Sequence, residues 1–390
     1  MVSQNSLRTK DNLLPRKNRG QPSVDYPFLV LVLLLLSVGL LMLYSASYAQ
    51  SEYDTGYTSS TKYLQKQGVC ALIGLVAMYF FSRIPAQFWL KLAWPVYGAG
   101  IVLLLSVLVF GQSVNGAKRW INIAGIQFQP SEIAKFSMIL LLARLTKRYG
   151  EDAEDFRHGV LGFGCAMLGL LVPLALEKHL SAIMLMGMVG VVMMFVAGTR
   201  AKWLAAGAAA AAAFVLIYIS FMGYAGDRVT AWLHPEQDPG DTGYQILQSL
   251  YAIGSGGLFG LGFGKSRQKY LYLPFQYNDY IFAIICEELG LIGALGIIAL
   301  FSATIARGYW IALHAHDRFS TVFASGLISL IAVQTILNLG VVTNLLPSTG
   351  IALPFFSYGG TALAVNLGEM GILLSISRYR NEPKIQEGIP

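Results

Sequence analysis

Long apolar runs separated by short polar breaks dominate the chain. Ten of them predict membrane-crossing helices, over 27–48, 65–82, 92–110, 131–146, 159–176, 181–198, 204–222, 280–306, 320–346 and 359–377. At ~1.5 Å of rise per residue, about 20 apolar residues span a bilayer, so runs of this length and number predict a polytopic protein rather than a soluble core. The run that starts at Ser131 is the least hydrophobic. The first run is too long for a signal-peptide core and lacks a small-residue cleavage site, so it is expected to stay as an anchor. The Ala-rich stretch 205–213 suits close helix packing. The expected fold class is therefore an all-α polytopic membrane protein of about ten helices, with one large polar loop, 223–279, between the seventh and eighth. Residues 1–26 read as a disordered cytoplasmic tail, 27–377 as the transmembrane domain and 378–390 as a second cytoplasmic tail.

Charge refines this picture. The 390 residues are 55% hydrophobic and 13% charged, with a net charge of +7. That balance first suggests nucleic acid, but its distribution argues for topology instead. With the N-terminus in the cytoplasm, the inner segments hold 18 of the 28 Lys and Arg, and the outer segments 10. Short basic loops mark the inside, so both termini are expected in the cytoplasm, and 223–279 and 111–130 outside. Cys70, Cys165 and Cys286 lie in apolar runs and predict buried free thiols. No zinc spacing, no phosphate loop ending in Lys-Ser/Thr and no nucleophile elbow is present.

Candidate chemistry gathers at the outer ends. Asp279 stands where the 223–279 loop meets an apolar run that also carries Glu287 and Glu288. Carboxylates in a membrane helix are costly and mark functional or paired positions. On a continuous helix Glu287 would lie roughly 80° and Glu288 roughly 180° from Asp279. Hence the two Glu are read as paired within the bundle, and Asp279 as catalytic. Asn115-Gly-Ala-Lys118-Arg119-Trp120 is followed by Gln129-Pro130-Ser131-Glu132, with Lys135 three residues on. Pro130 suits a first helical turn, and Glu132 and Lys135 share a face and can pair. Either this is an ion pair that makes a helix end tolerable, or Lys118, Arg119 and Lys135 attract an anionic, phosphate-bearing ligand. The Gly254–Gly264 stretch permits close backbone approach to a ligand or headgroup, and Lys265, Arg267 and Lys269 after it can attract phosphates. Pro347 to Gly360 is rich in Pro and Gly and predicts an irregular re-entrant segment, tolerated only when buried or lining a cavity. Asn338 and Asn344 are expected to hydrogen-bond neighbouring helices.

Together Asn115–Trp120, Gln129–Lys135, Tyr244–Gly264, Asp279 with Glu287-Glu288-Leu-Gly290, and Pro347–Gly360 resemble the SEDS family (shape, elongation, division and sporulation) of FtsW, RodA and SpoVE, closest to its FtsW/SpoVE branch. The resemblance implies a peptidoglycan glycosyltransferase of the bacterial cytoplasmic membrane. Its substrate would be lipid II, a disaccharide-pentapeptide on undecaprenyl pyrophosphate. Its partners would be a class B penicillin-binding protein, which crosslinks the product, and other division or elongation proteins. Asp279 matches the family's essential acid, and Lys118, Arg119, Glu132 and Lys135 match its charged outer residues. Two positions depart: Phe275 stands where the family often has Glu, and Lys178 replaces Pro in Glu177-Lys178-His179-Leu180-Ser181. His179 is expected to face outward without a catalytic role.

The chemistry fits these residues. A sugar hydroxyl attacking an anomeric carbon needs a base, here Asp279, and the departing pyrophosphate needs cations. Mg²⁺ or Mn²⁺ would suit the pyrophosphate, but the sequence shows no ligand set. A lipid II flippase and a non-catalytic scaffold are the rival readings. The outward-facing polar clusters and the lack of an internal repeat favour the enzyme.

Overall fold

The computed structural model describes residues 24–114, 117–123, 126–207, 209, 230–237 and 242–379. Most of the expected span 204–222, most of both tails, parts of the 223–279 loop and Asn115 lie outside them. The helices are α1 (Tyr26–Asp54), α2 (Lys62–Phe81), α3 (Ala86–Phe110), α4 (Pro130–Tyr149), α5 (Phe163–Leu176, entered through a π-helical stretch, Phe156–Gly162), α6 (Leu180–Val196), α7 (Thr242–Gly256), α8 (Ile281–Leu313), α9 (Arg318–Val342) and α10 (Gly360–Arg378). Among the described residues, α1, α2, α3, α5 with its π stretch, α8, α9 and α10 are long and apolar enough to cross a membrane, and α6 is a shorter apolar helix. The protein is a multi-pass membrane protein.

The weakest expected span proves to be central. α4 begins on Pro130, as predicted, and nearly every residue from Pro130 to Thr146 is buried against neighbouring helices. A helix sheathed by protein has no lipid to satisfy, so it tolerates Ser, Glu and Lys. At the end of the bundle away from Asp279, Asp25 caps α1 by accepting from Phe28 N and clasps Arg307 of α8 through two hydrogen bonds of 3.0 and 2.8 Å. Its own N–H reaches Ser377 Oγ of α10. Three helix ends are thereby locked together.

Three expectations change. The 111–130 loop folds as an antiparallel meander, β1 (Gln112–Val114), β2 (Ala117–Ile123) and β3 (Ile126–Phe128), with Gln112 opposite Trp120 and Ile121 opposite Phe128. The dipeptide Asn115-Gly116 between alternating residues is a hairpin signal. The 223–279 segment contains α7, whose buried positions Gly243, Ile246, Ser249, Ala252 and Gly256 recur every three or four residues, the helical spacing. Cys165 is exposed rather than buried, whereas Cys70 and Cys286 are buried as expected.

α8 is not continuous. Gly290 sits at φ 67°, ψ −169°, which interrupts the helix. The freed groups are satisfied by the glycine-rich segment after α7. Leu261 N and Gly262 N donate to the carbonyls of Glu287 and Glu288 at 2.9 and 3.0 Å. Leu291 N and Ile292 N donate to Gly257 O and Leu258 O at 2.9 and 3.2 Å. A Cβ on Gly260 would collide with Glu288 O, and one on Gly290 with Gly260 N. Gly256, Gly260 and Gly290 therefore admit the close crossing of the protein's own broken helix.

Candidate active site

Asp279 lies in the turn before α8, half-buried, and not on the helix itself. The angles expected from a continuous helix therefore do not apply. Its position is set by the Pro/Gly-rich segment, which folds back irregularly as predicted. Asn338 of α9 donates from one amide nitrogen to Asp279 O and Ile351 O, both at 2.7 Å. Ser357 Oγ donates to Asn278 O at 2.6 Å, and Tyr358 N to Tyr277 O at 2.9 Å. Gly350, at φ 69°, faces the carboxylate, and a Cβ there would stand 3.3 Å from Oδ2. The segment's own polar backbone is matched by side chains: Gln67 donates to Ser357 O and accepts from Gly359 N, and Gln334 donates to Ala352 O. Irregular backbone survives within a membrane protein when it is paired in this way.

The charged outer residues come together beside this segment. Lys135 Nζ sits 2.7 Å from Glu132 Oε2, with both side chains almost fully buried. Arg119, carried by β2, donates from Nη2 to Lys178 O at 2.7 Å. The turn Glu177–His179 joins α5 to α6, and Ser181 Oγ donates to Thr349 O, next to Gly350. One connected path thus runs from Arg119 through the turn to Asp279. Lys118 lies in β2 opposite Ser113.

Electrostatics sets this turn apart. Burial pushes the Glu177 carboxyl up to about 7, against the pull of Arg119. Burial, reinforced by the charges of Arg119 and Lys135, pushes the His179 imidazole down to about 3, so it is neutral at physiological pH. His179 was expected to face outward; it is buried beside the cations instead. Glu177 and Glu369 were not singled out from sequence. Glu369 had a legible signal, since it is an acid inside a predicted span.

The second basic cluster does not join the site as expected. Lys269 is buried, with Nζ 3.0 Å from Glu288 Oε1, 3.2 Å from Ser45 Oγ and 2.6 Å from Gly264 O. With its donors committed to these partners, it is a structural counter-ion to the broken helix and not a phosphate ligand. Lys265 and Arg267 are exposed. Glu287 and Glu288 are paired within the bundle, as predicted. Glu287 accepts from Ser266 Oγ, Arg267 N and Gln268 N, and Glu288 from Ser45 Oγ, Ser266 N and Lys269. Among the described residues no three His, Cys, Asp or Glu converge to hold a metal ion.

Comparison with known proteins fits this arrangement. The chain is 40% identical over 363 residues to stage V sporulation protein E of Bacillus subtilis, covering 92% of this chain and 98% of that protein. It is 37% identical over 365 residues to the probable peptidoglycan glycosyltransferase FtsW of Geobacter metallireducens, covering 92% and 96%. Among solved structures, a chain of a peptidoglycan synthase complex that coordinates polymerization and crosslinking superposes with a TM-score of 0.77 at 28% identity, covering 92% of this chain and 98% of that one. The rod shape determining protein RodA of Thermus thermophilus gives 0.68 at 28% identity, covering 93% and 99%. The profile of the FtsW, RodA and SpoVE family, described as cell cycle protein, matches residues 26–382. The chain belongs to that family.

Proposed function

We propose that this chain is a peptidoglycan glycosyltransferase that polymerises lipid II at the outer face of the bacterial cytoplasmic membrane. The observation that carries the reading is the placement of Asp279. It is half-buried before the head of α8, against Gly350, in a segment that Ser181 ties to the turn whose Lys178 carbonyl anchors Arg119. In the reaction a sugar hydroxyl of one substrate forms a bond to the anomeric carbon of the other. The bond from that carbon to the pyrophosphate oxygen breaks, and the hydroxyl proton passes to Asp279. Arg119, Lys118 and Lys135 offset the charge developing on the pyrophosphate. Lys265, being exposed, serves at most the approach of the anionic substrate, and Lys269 has no part in binding.

The natural partner is a class B penicillin-binding protein that crosslinks the glycan, with further division or elongation proteins around it. The likeness to one chain of a synthase complex supports this pairing. The charge distribution supports cytoplasmic termini and an outer Asp279 end.

Purified protein in liposomes with labelled lipid II tests the reading. Asp279→Asn keeps the shape but cannot take the proton, so polymerisation is expected to fall about 10²-fold or more. Lipid II binding, which rests on the cations, is expected to survive. Retained polymerisation in Asp279→Asn, with lipid II translocation lost, would sink the enzyme reading and favour a flippase.

A further inference from the structure

Glu369 is the one acid of α10, 2% exposed, and neither of its carboxyl oxygens has a hydrogen-bond partner among the described residues. Gly368 and Gly371 of the same helix press against Phe81 and Met78 of α2. Glu369 lies roughly 100° round the helix from Gly368 and so points away from α2. α10 also packs against α4, the helix that carries Glu132 and Lys135. One turn nearer the Asp279 end, buried Asn366 also leaves its Oδ1 unpartnered. Two buried side chains with unsatisfied polar atoms thus lie on α10, the helix that packs against α4 and its Glu132–Lys135 pair.

Stability does not account for this carboxyl. A buried polar group with nothing to bind destabilises the fold. Its place makes sense once the pair beside it has to open. Lys135 is held 2.7 Å from Glu132. To meet a pyrophosphate it has to loosen that contact, which leaves Glu132 as a buried charge without compensation.

We propose that Glu369 is a positioning residue for Lys135, a stand-by hydrogen-bond donor to Glu132 that lets Lys135 turn to the donor pyrophosphate. While the pair is closed, the Glu369 carboxyl keeps its proton. When Lys135 leaves, the Glu369 O–H donates to the Glu132 carboxylate in its place. No covalent bond changes and no proton leaves the niche. The inference rests on the glycosyltransferase reading and deepens it.

Two substitutions test it in the full-length protein reconstituted with lipid II. Glu369→Leu removes the donor and fills the space, and Glu369→Gln keeps a donor in its amide N–H. Glu369→Leu is expected to melt no lower than the parent, while its KM for lipid II rises about tenfold with kcat little changed. Glu369→Gln is expected to keep the parent KM. A Leu variant with an unchanged KM, or one that loses thermal stability along with activity, overturns the proposal. Asp279→Asn run in parallel separates the two ideas. If it is inactive while Glu369→Leu keeps its KM, only this inference fails; if it polymerises, the activity reading fails.

Discussion

Lys178 holds a left-handed backbone, φ 56°, and its carbonyl is the acceptor that anchors Arg119. Proline cannot reach that φ, because its ring fixes the angle near −65°. The proline that the family resemblance implies at this position would therefore not fit the turn that this chain forms. Lys178→Gly is expected to fold at least as well as the parent. Lys178→Pro is expected to lose more than about 1 kcal/mol and to weaken polymerisation by displacing Arg119, as thermal melts and lipid II turnover would reveal. The neighbouring Glu177 gives a pH signature. Its carboxyl rises from 4.5 to about 7 on folding, so between those values the folded chain binds more protons than the unfolded one. The stability this contributes is full below about 4.5 and is lost as pH rises through about 7. Glu177→Gln is therefore expected to gain on the parent as pH increases, with the gap in melting temperature widest above pH 7. His179 acts in the opposite sense: its contribution is present above 6.5 and lost as pH falls toward about 3. Because both proteins carry His179, their difference isolates Glu177. A constant gap from pH 5 to pH 8 would show that Glu177 is not buried as described.

At the scale of elements, the break in α8 is the feature that sequence could not reveal. Glu287-Glu288-Leu-Gly290 sits in an apolar run with no proline, and one glycine in such a run normally passes as helix. What decides the outcome is the Gly257–Gly262 backbone, distant in sequence, which supplies two donors and two acceptors to the gap. Gly290→Ala adds a Cβ at a left-handed position against Gly260 N, and Gly260→Ala adds one against Glu288 O. Each is expected to cost on the order of 3 kcal/mol and to lower the yield of folded protein on size-exclusion chromatography. Normal yield and melting for both would disprove the tight crossing. The same break gives Lys269 a role that its place in the sequence does not announce. In one dimension it is one of three cations in a polar loop; in the fold it is enclosed with Glu288. Short-range patterns were more legible. Pro130 marked the start of α4, and the i,i+3 spacing of Glu132 and Lys135 foretold their ion pair. The Asn115-Gly116 dipeptide is itself a hairpin signal, and β1 and β2 flank it.

Across the whole molecule, α1 to α6, and again α8 to α10, alternate in direction between an Asp279 end and an Asp25–Arg307 end, and the apolar runs alone foretold most of that path. The orientation proposed from charge can be checked by impermeant thiol labelling of intact cells. A cysteine placed at Tyr57, exposed in the turn after α1 at the Asp279 end, is expected to react, and one at Glu151 beyond α4 only after permeabilisation. The reverse pattern would invert the topology. The active-site path was only half legible, because the groups that connect it, Lys178 O, Ser181 and Gly350, act through backbone geometry. The broken α8 also bears on how the protein is made. Chains emerge N-terminus first, so α7, the Gly257–Gly262 strap, Ser266 and Lys269 have all left the ribosome before Glu287 and Glu288 appear. The two acids thus enter the bilayer where a counter-ion, a hydroxyl and backbone donors already wait. A circular permutation that moved residues 242–270 behind α8 would preserve every contact of the finished fold, yet would deliver the acids to the membrane first and alone.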